Sequence, residues 1–153
     1  MVEVIIDPKE AAAIISKLTN FGKEDTNNNI LLQIALGVKD NILLQTAAGI
    51  DYKGNAFKPY SKAYAAKEGK KNAWMYQSGT MLNSMSQKVI DNLSVMIFFN
   101  NTTARERATW HNITGAVKSK VKREFFGFSG MANRAAFEKY SKTVLALKEK
   151  YKL

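Results

Sequence analysis

Residues 49–84 carry neither the helical nor the strand period for most of their length, and they occupy the middle of a chain of 153 residues. Gly49, Gly54, Pro59, Gly69 and Gly79 interrupt any regular pattern there, because each breaks a helix or strand locally. The same stretch holds Tyr52, Phe57, Tyr60, Tyr64, Trp74 and Tyr76. Disordered linkers are poor in aromatics, and a long connection inside a compact domain is as a rule either functional or disordered. The aromatics decide for the first. A long ordered loop is expected, with Phe57, Tyr60, Trp74 and Tyr76 as anchors against the core or a neighbouring chain.

Regular patterns flank this loop on both sides. Residues 2–6 form a short β-branched run that fits a strand. Asp7, Pro8 and Glu10 then make a helix start, with Asp7 as N-cap and Pro8 at the first helical position. Gly22 ends that helix. Asp25 or Thr26 caps a second helix reaching Ala47, whose apolar residues cover more than one stripe; it is buried on several sides, by its own domain or by a neighbouring subunit. Ser61 to Gly69 fits a short helix, and Ser78-Gly79 opens another.

Beyond the loop, residues 86–89 and 94–99 read as a β-hairpin around Asp91-Asn92. The almost wholly apolar second run predicts a central strand. Residues 103–111 predict a short helix, with Trp110 and His111 at its end as candidate anchors. Residues 117–122 alternate, with Lys118, Lys120 and Lys122 on one side, as in a half-exposed strand or an ordered arm. Phe125 and Phe126 form an aromatic knot just before Ser129. From there Phe137, Tyr140, Val144, Leu147 and Tyr151 recur at helical spacing, predicting a C-terminal amphipathic helix that buries this stripe. The expected fold class is α+β: two N-terminal helices, a small mostly antiparallel sheet with the long ordered loop, and the C-terminal helix, in one domain over residues 1–153.

Charge divides the chain. The formal net charge is +10, yet residues 1–48 are net −2 while residues 101–153 are net +8. A basic C-terminal half points to a polyanion or an acidic protein partner; the bland alternative is a solvated lysine-rich surface. Six lysines between positions 53 and 71 alternate with aromatics, a pattern found in single-strand nucleic-acid binders and also in soluble loops whose rings pack inward. The candidates for a face toward DNA or a partner are Lys70, Lys71, Lys118, Lys120, Lys122 and Arg123.

Little in the sequence points to catalysis. There is no cysteine and a single histidine, so disulfides, thiol chemistry and cysteine-bound zinc are excluded. No glycine-rich phosphate loop, nucleophile elbow or zinc-protease motif is present. No catalytic residue, cofactor or metal is assigned, and His111 beside Trp110 reads as a structural or interface group. No apolar run reaches the roughly 18 residues of a membrane span. The N-terminus lacks a secretory pattern, so a chain kept in the cytoplasm is expected.

The segment Gly49-Ile-Asp51-x-x-Gly54-x-x-Phe57-Lys-Pro59-Tyr-Ser61, then Tyr64-x-x-Lys67, then Ser78-Gly79-x-Met81-x-x-Ser84, resembles the signature of the phage virion morphogenesis family. Ala108-x-x-His111 resembles that family's Tyr-Ala-x-x-His-Gln stretch, with Asn112 where the glutamine often stands. Arg123-x-Phe125-x-Gly127-x-Ser129 resembles its element before the last helix. Together these pieces span nearly the whole chain.

The resemblance implies a non-enzymatic structural protein of the virion neck or tail, made in the host cytoplasm during assembly. Such a protein completes the tail or joins it to the head. It implies a homo-oligomeric ring, a hexamer by preference, in contact with the neck connector, the tail terminator or the tail tube, and with packaged DNA without sequence preference. No membrane enters this picture. The alternative carried by the charge and the interleaved aromatics is a sequence-independent nucleic-acid-binding domain.

Overall fold

The computed structural model describes residues 24–69, 75, 79–91, 94–115 and 120–152, with residues 16, 19 and 22 ahead of them. The strand expected at residues 2–6 and nearly all of the first expected helix lie outside the described residues. Helix α1 runs Glu24–Ala47. Its inward residues Ala35, Val38, Ile42, Gln45 and Thr46 follow the helical period and are all buried. Leu44, off that stripe, is 71% exposed. The helix closes in a Schellman arrangement: Ile50 N donates to Gln45 O and Gly49 N to Thr46 O. Gly49 sits at φ +75°, the left-handed position that this closure requires.

After the loop, helix α2 spans Lys62–Glu68, capped by Ser61, whose hydroxyl accepts from Tyr64 N, and ended by left-handed Gly69. Helix α3 is a single turn, Thr80–Asn83. Strands β1 (Met85–Asp91) and β2 (Ser94–Phe99) pair antiparallel, with Met85 opposite Phe99 and Val89 opposite Val95. Asn101 caps helix α4, Thr102–Thr109, which widens into one π-helical turn, Trp110–Thr114. Helix α5 runs Gly130–Tyr151, with the Ser129 hydroxyl accepting from Ala132 N. Helices α1 and α5 pack side by side, and the hairpin lies against α1. The core joins Val38 and Ile42 of α1, Ala132 and Ala136 of α5, and Phe57, Met75, Met81, Leu82, Met85, Phe99 and Phe125.

The expected α+β arrangement of two N-terminal helices, a small sheet with a long loop and a C-terminal amphipathic helix does not hold. The short helical segments at 62–68, 80–83 and 102–114, each expected locally, stand between the long helices as elements that the two-plus-one helix arrangement leaves out. Among the described residues the sheet is one two-stranded hairpin. Strand β2 therefore has a single partner and is not central; Ile97 and Phe98 are only half-buried and Met96 is exposed. No strand forms over residues 120–122, where Lys120 takes a left-handed φ of +52°.

The stripe expected to bury α5 is met only toward its end, at Leu147, with Val144 and Tyr151 half-buried. Ala132, Ala136 and Leu147 are buried, whereas Phe137 is 67% and Tyr140 42% exposed. The cause lies in α1. A Cβ on Gly37 would stand 2.7 Å from Ala135 O and 2.7 Å from Lys139 Cγ, so the two helices approach too closely for rings between them. Small residues take the contact, and the large ones turn outward.

Candidate functional site

The loop after α1 is shaped by its own polar groups. Asp51 Oδ1 accepts from Lys53 N at 2.9 Å and Asn55 N at 2.8 Å, an Asx-type turn. Gly54 carries φ +92° inside it. Asp51 N donates to Asn55 O, and Ile50 bridges Ala56. Phe57 N then donates to Gly49 O at 2.7 Å. This closure drives the Phe57 ring into the core, where it is 8% exposed.

Residues 120–129 lie across this loop. Tyr52 N donates to Glu124 O at 2.9 Å. The Tyr52 ring covers Gly127 so closely that a Cβ there would stand 2.6 Å from Tyr52 Cγ; any larger residue would displace the ring. Outside, Lys53 Nζ meets Glu124 Oε2 at 2.6 Å. That hydrogen bond holds the Lys53 ammonium above its usual range, but the pair is exposed and contributes little.

Arg123 sits at the centre. It is only 5% exposed. Its Nε donates to Lys58 O at 3.0 Å and its Nη2 to Pro59 O at 3.3 Å. The guanidinium stacks 4.8 Å from the Tyr60 ring centroid, and Tyr60 lies 4.9 Å from Tyr64. Among the described residues no carboxylate pairs with it. Burial draws its pKa down, while Tyr60 and Tyr64 oppose the shift. Burial, and then Glu68, push the Tyr64 phenol up. The guanidinium remains charged, held by carbonyl dipoles and ring faces instead of an acid.

The π-helical turn is the third side. His111 O accepts from Arg123 N at 2.8 Å. Asn112 pairs with the backbone of Phe126 in both directions, Nδ2 to O at 2.6 Å and Phe126 N to Oδ1 at 3.0 Å. This side chain acts as a strand partner for the Phe126 backbone. Below it, Phe99 meets Phe126 in a tilted contact with ring centroids 5.2 Å apart and Phe125 edge-on at 6.2 Å. His111 is half-buried and its Nδ1 has no partner among the described residues. Burial first, then the Arg123 charge, lower its pKa below 6.5.

The expected site residues fall into three groups. Phe57, Tyr60, His111, Arg123, Phe125 and Phe126 come together as one packed unit; Trp110, at its edge, is 40% exposed. Arg123, expected on a surface facing DNA or a partner, is turned inward. Lys120 and Lys122 are exposed. Lys70, Lys71, Trp74, Tyr76 and Lys118 lie outside the described residues.

Asn112 and Tyr52, which bind these segments together, were not among the expected site residues. Nothing in their local sequence distinguishes them from solvated polar or aromatic positions. Among the described residues no three His, Asp or Glu side chains gather as a metal site, and no helix is long and apolar enough to cross a membrane.

A second feature lies between α1 and α5, a groove of about 320 Å³ lined by Asp40, Asn41, Leu44, Met131, Ala135 and Glu138 among others. No family model matches this chain, and neither a curated protein nor a solved structure matches it.

Proposed function

We propose that this chain is a non-enzymatic structural protein of the phage virion morphogenesis kind, which completes the tail or joins it to the head as a subunit of a ring at the neck. One observation carries the reading. The pieces that bear the resemblance, around Gly49–Ser61, His111 and Arg123–Ser129, interlock as one scaffold, and their polar groups serve the backbone. The Asp51 carboxylate shapes its own turn, Arg123 holds the Lys58 and Pro59 carbonyls, and Ser61 and Ser129 cap helices. Side chains used in this way support shape. Leu44, Ile113, Phe128 and Phe137 are each more than 60% exposed and are open to contact by a neighbouring subunit.

The test is assembly in the phage or prophage that encodes the chain. Particles made without it are expected to accumulate as separate heads and tails, and added purified protein should restore joining. Normal joining in its absence would overturn the reading. Salt-sensitive binding of DNA by the isolated chain, with no effect on particles, would favour the nucleic-acid-binding alternative.

A further inference from the structure

We propose that Met131 is an oxidation site, where a hydroperoxide turns the thioether into a sulfoxide and so loosens the seat of α5 on the end of α1. The inference goes beyond the neck reading and does not depend on it. The described methionines divide by exposure. Met75, Met81 and Met85 lie in the core at 8%, 7% and 5%, whereas Met96 is 41% and Met131 53% exposed. Met96 stands on β2, and Met131 lies on the wall of the groove between α1 and α5. A small oxidant in water meets these two first.

What sets Met131 apart is its partner. Gln45 Nε2 donates to Met131 Sδ at 3.0 Å, across 86 residues of chain. Gln45 is only 5% exposed, so its amide has exchanged water for a thioether, a weak acceptor. Both residues stand at the ends of their helices. Gln45 is in the last turn of α1, and its carbonyl accepts from Ile50 N in the closure that leads into the long loop. Met131 is in the first turn of α5, between Ser129 and Ala132, the cap and the N–H it accepts from. The sulfur ties two helix ends together.

Oxidation acts on this tie directly. One sulfur lone pair faces the amide, and the other can attack an oxygen of hydrogen peroxide. The S–O bond forms as the O–O bond breaks, and sulfur gives up two electrons. The second oxygen leaves as water, taking the proton of the first. The product is polar and chiral where the thioether was apolar and flexible. At 3.0 Å no oxygen atom fits between sulfur and nitrogen. The sulfoxide must turn within the groove, and either the first turn of α5 moves with it or the Gln45 amide loses its acceptor. Both loosen the same corner.

The experiment is a time course with hydrogen peroxide on the parent chain, followed by peptide mass mapping and amide hydrogen exchange. Met131 and Met96 are expected to gain an oxygen before Met75, Met81 and Met85. As Met131 is modified, exchange should quicken by about tenfold or more at residues 46–50 and 132–136, the effect of a buried amide losing its acceptor, while the hairpin keeps its rates. Met96→Leu should retain this response to peroxide. Met131→Leu should show none, whatever its starting rates.

Equal oxidation of Met131 and the core methionines would mean that modification follows unfolding, and would overturn the proposal. So would a sulfoxide at Met131 that leaves exchange at both helix ends unchanged, since the residue is then a passive surface target. A response that persists in Met131→Leu would overturn it as well. None of these results bears on the head–tail joining assay, which judges the neck role on its own.

Discussion

The two halves of this molecule handle large apolar side chains in opposite ways. Where the 48–61 loop meets residues 120–129 and the π-helical turn, rings go inside: Phe57, Phe99 and Phe125 are buried and Phe126 is half-buried. Between α1 and α5, alanines and Gly37 make the contact, and Leu44, Met131, Phe137 and Tyr140 face outward. Spacing decides the difference. Irregular backbone can bend around a ring, whereas two helices brought together at a glycine leave no room for one. An apolar stripe on a helix therefore need not mark its buried side.

Truncating a ring on each side gives the sharpest contrast. Phe125→Ala leaves a cavity in close-packed surroundings and should cost about 3–5 kcal/mol in denaturant unfolding. Phe137→Ala, measured in dilute solution, should stay within about 0.5 kcal/mol of the parent. Equal losses would mean that Phe137 is a core residue and that the contrast between the halves is false.

Two intermediate effects probe what holds each half together. Gly37→Ala should force α1 and α5 apart and cost about 1–3 kcal/mol; an unchanged or raised melting temperature would show that the close approach is not real. Arg123→Met strands the Lys58 and Pro59 carbonyls and should cost about 1–3 kcal/mol. Arg123→Lys should recover only part of this, because an ammonium lacks the planar fork that spans both acceptors.

A pH dependence is expected from the looped half, at His111. His111 has a folded pKa below 6.5, through burial and the Arg123 charge, so the unfolded chain takes up its proton first as pH falls. Stability is therefore intact above the unfolded value of about 6.5 and declines as pH drops toward the folded value. Unfolding midpoints at pH 7.5 and 5.5 should differ in the parent and differ less in His111→Gln. An equal dependence in both would assign the effect to carboxylates.

The smallest stability effect is expected at the exposed lysines. Lys120→Glu with Lys122→Glu should move stability by less than about 0.5 kcal/mol. If that face meets DNA or an acidic partner, the same pair should impair particle assembly; normal assembly would leave these lysines as solvated surface.

Much of the local structure was legible because it depends on neighbours in the chain. Ser61 and Gly69 bracket α2, Ser129 caps α5, and the hairpin turns near Asp91. The loop anchors Phe57 and Tyr60 were legible from composition, since rings in a glycine-broken stretch need a core. The inward course of Arg123 was not, because a buried guanidinium and a solvated one have the same sequence. Asn112 was equally silent, since its partner, the Phe126 backbone, is 14 residues away.

By itself the sequence determined where several helices are capped, at Ser61, Gly69 and Ser129, and where the hairpin turns, near Asp91. Those follow from capping, turn preference and residue type, all of which act within a few positions. Only the tertiary structure decided which face of each helix is buried, whether a charge points in or out, and that the sheet is a two-stranded hairpin among the described residues. These depend on the distance between segments remote in the chain, and a contact as short as Gly37 against Ala135 overrides the pattern that each helix carries alone.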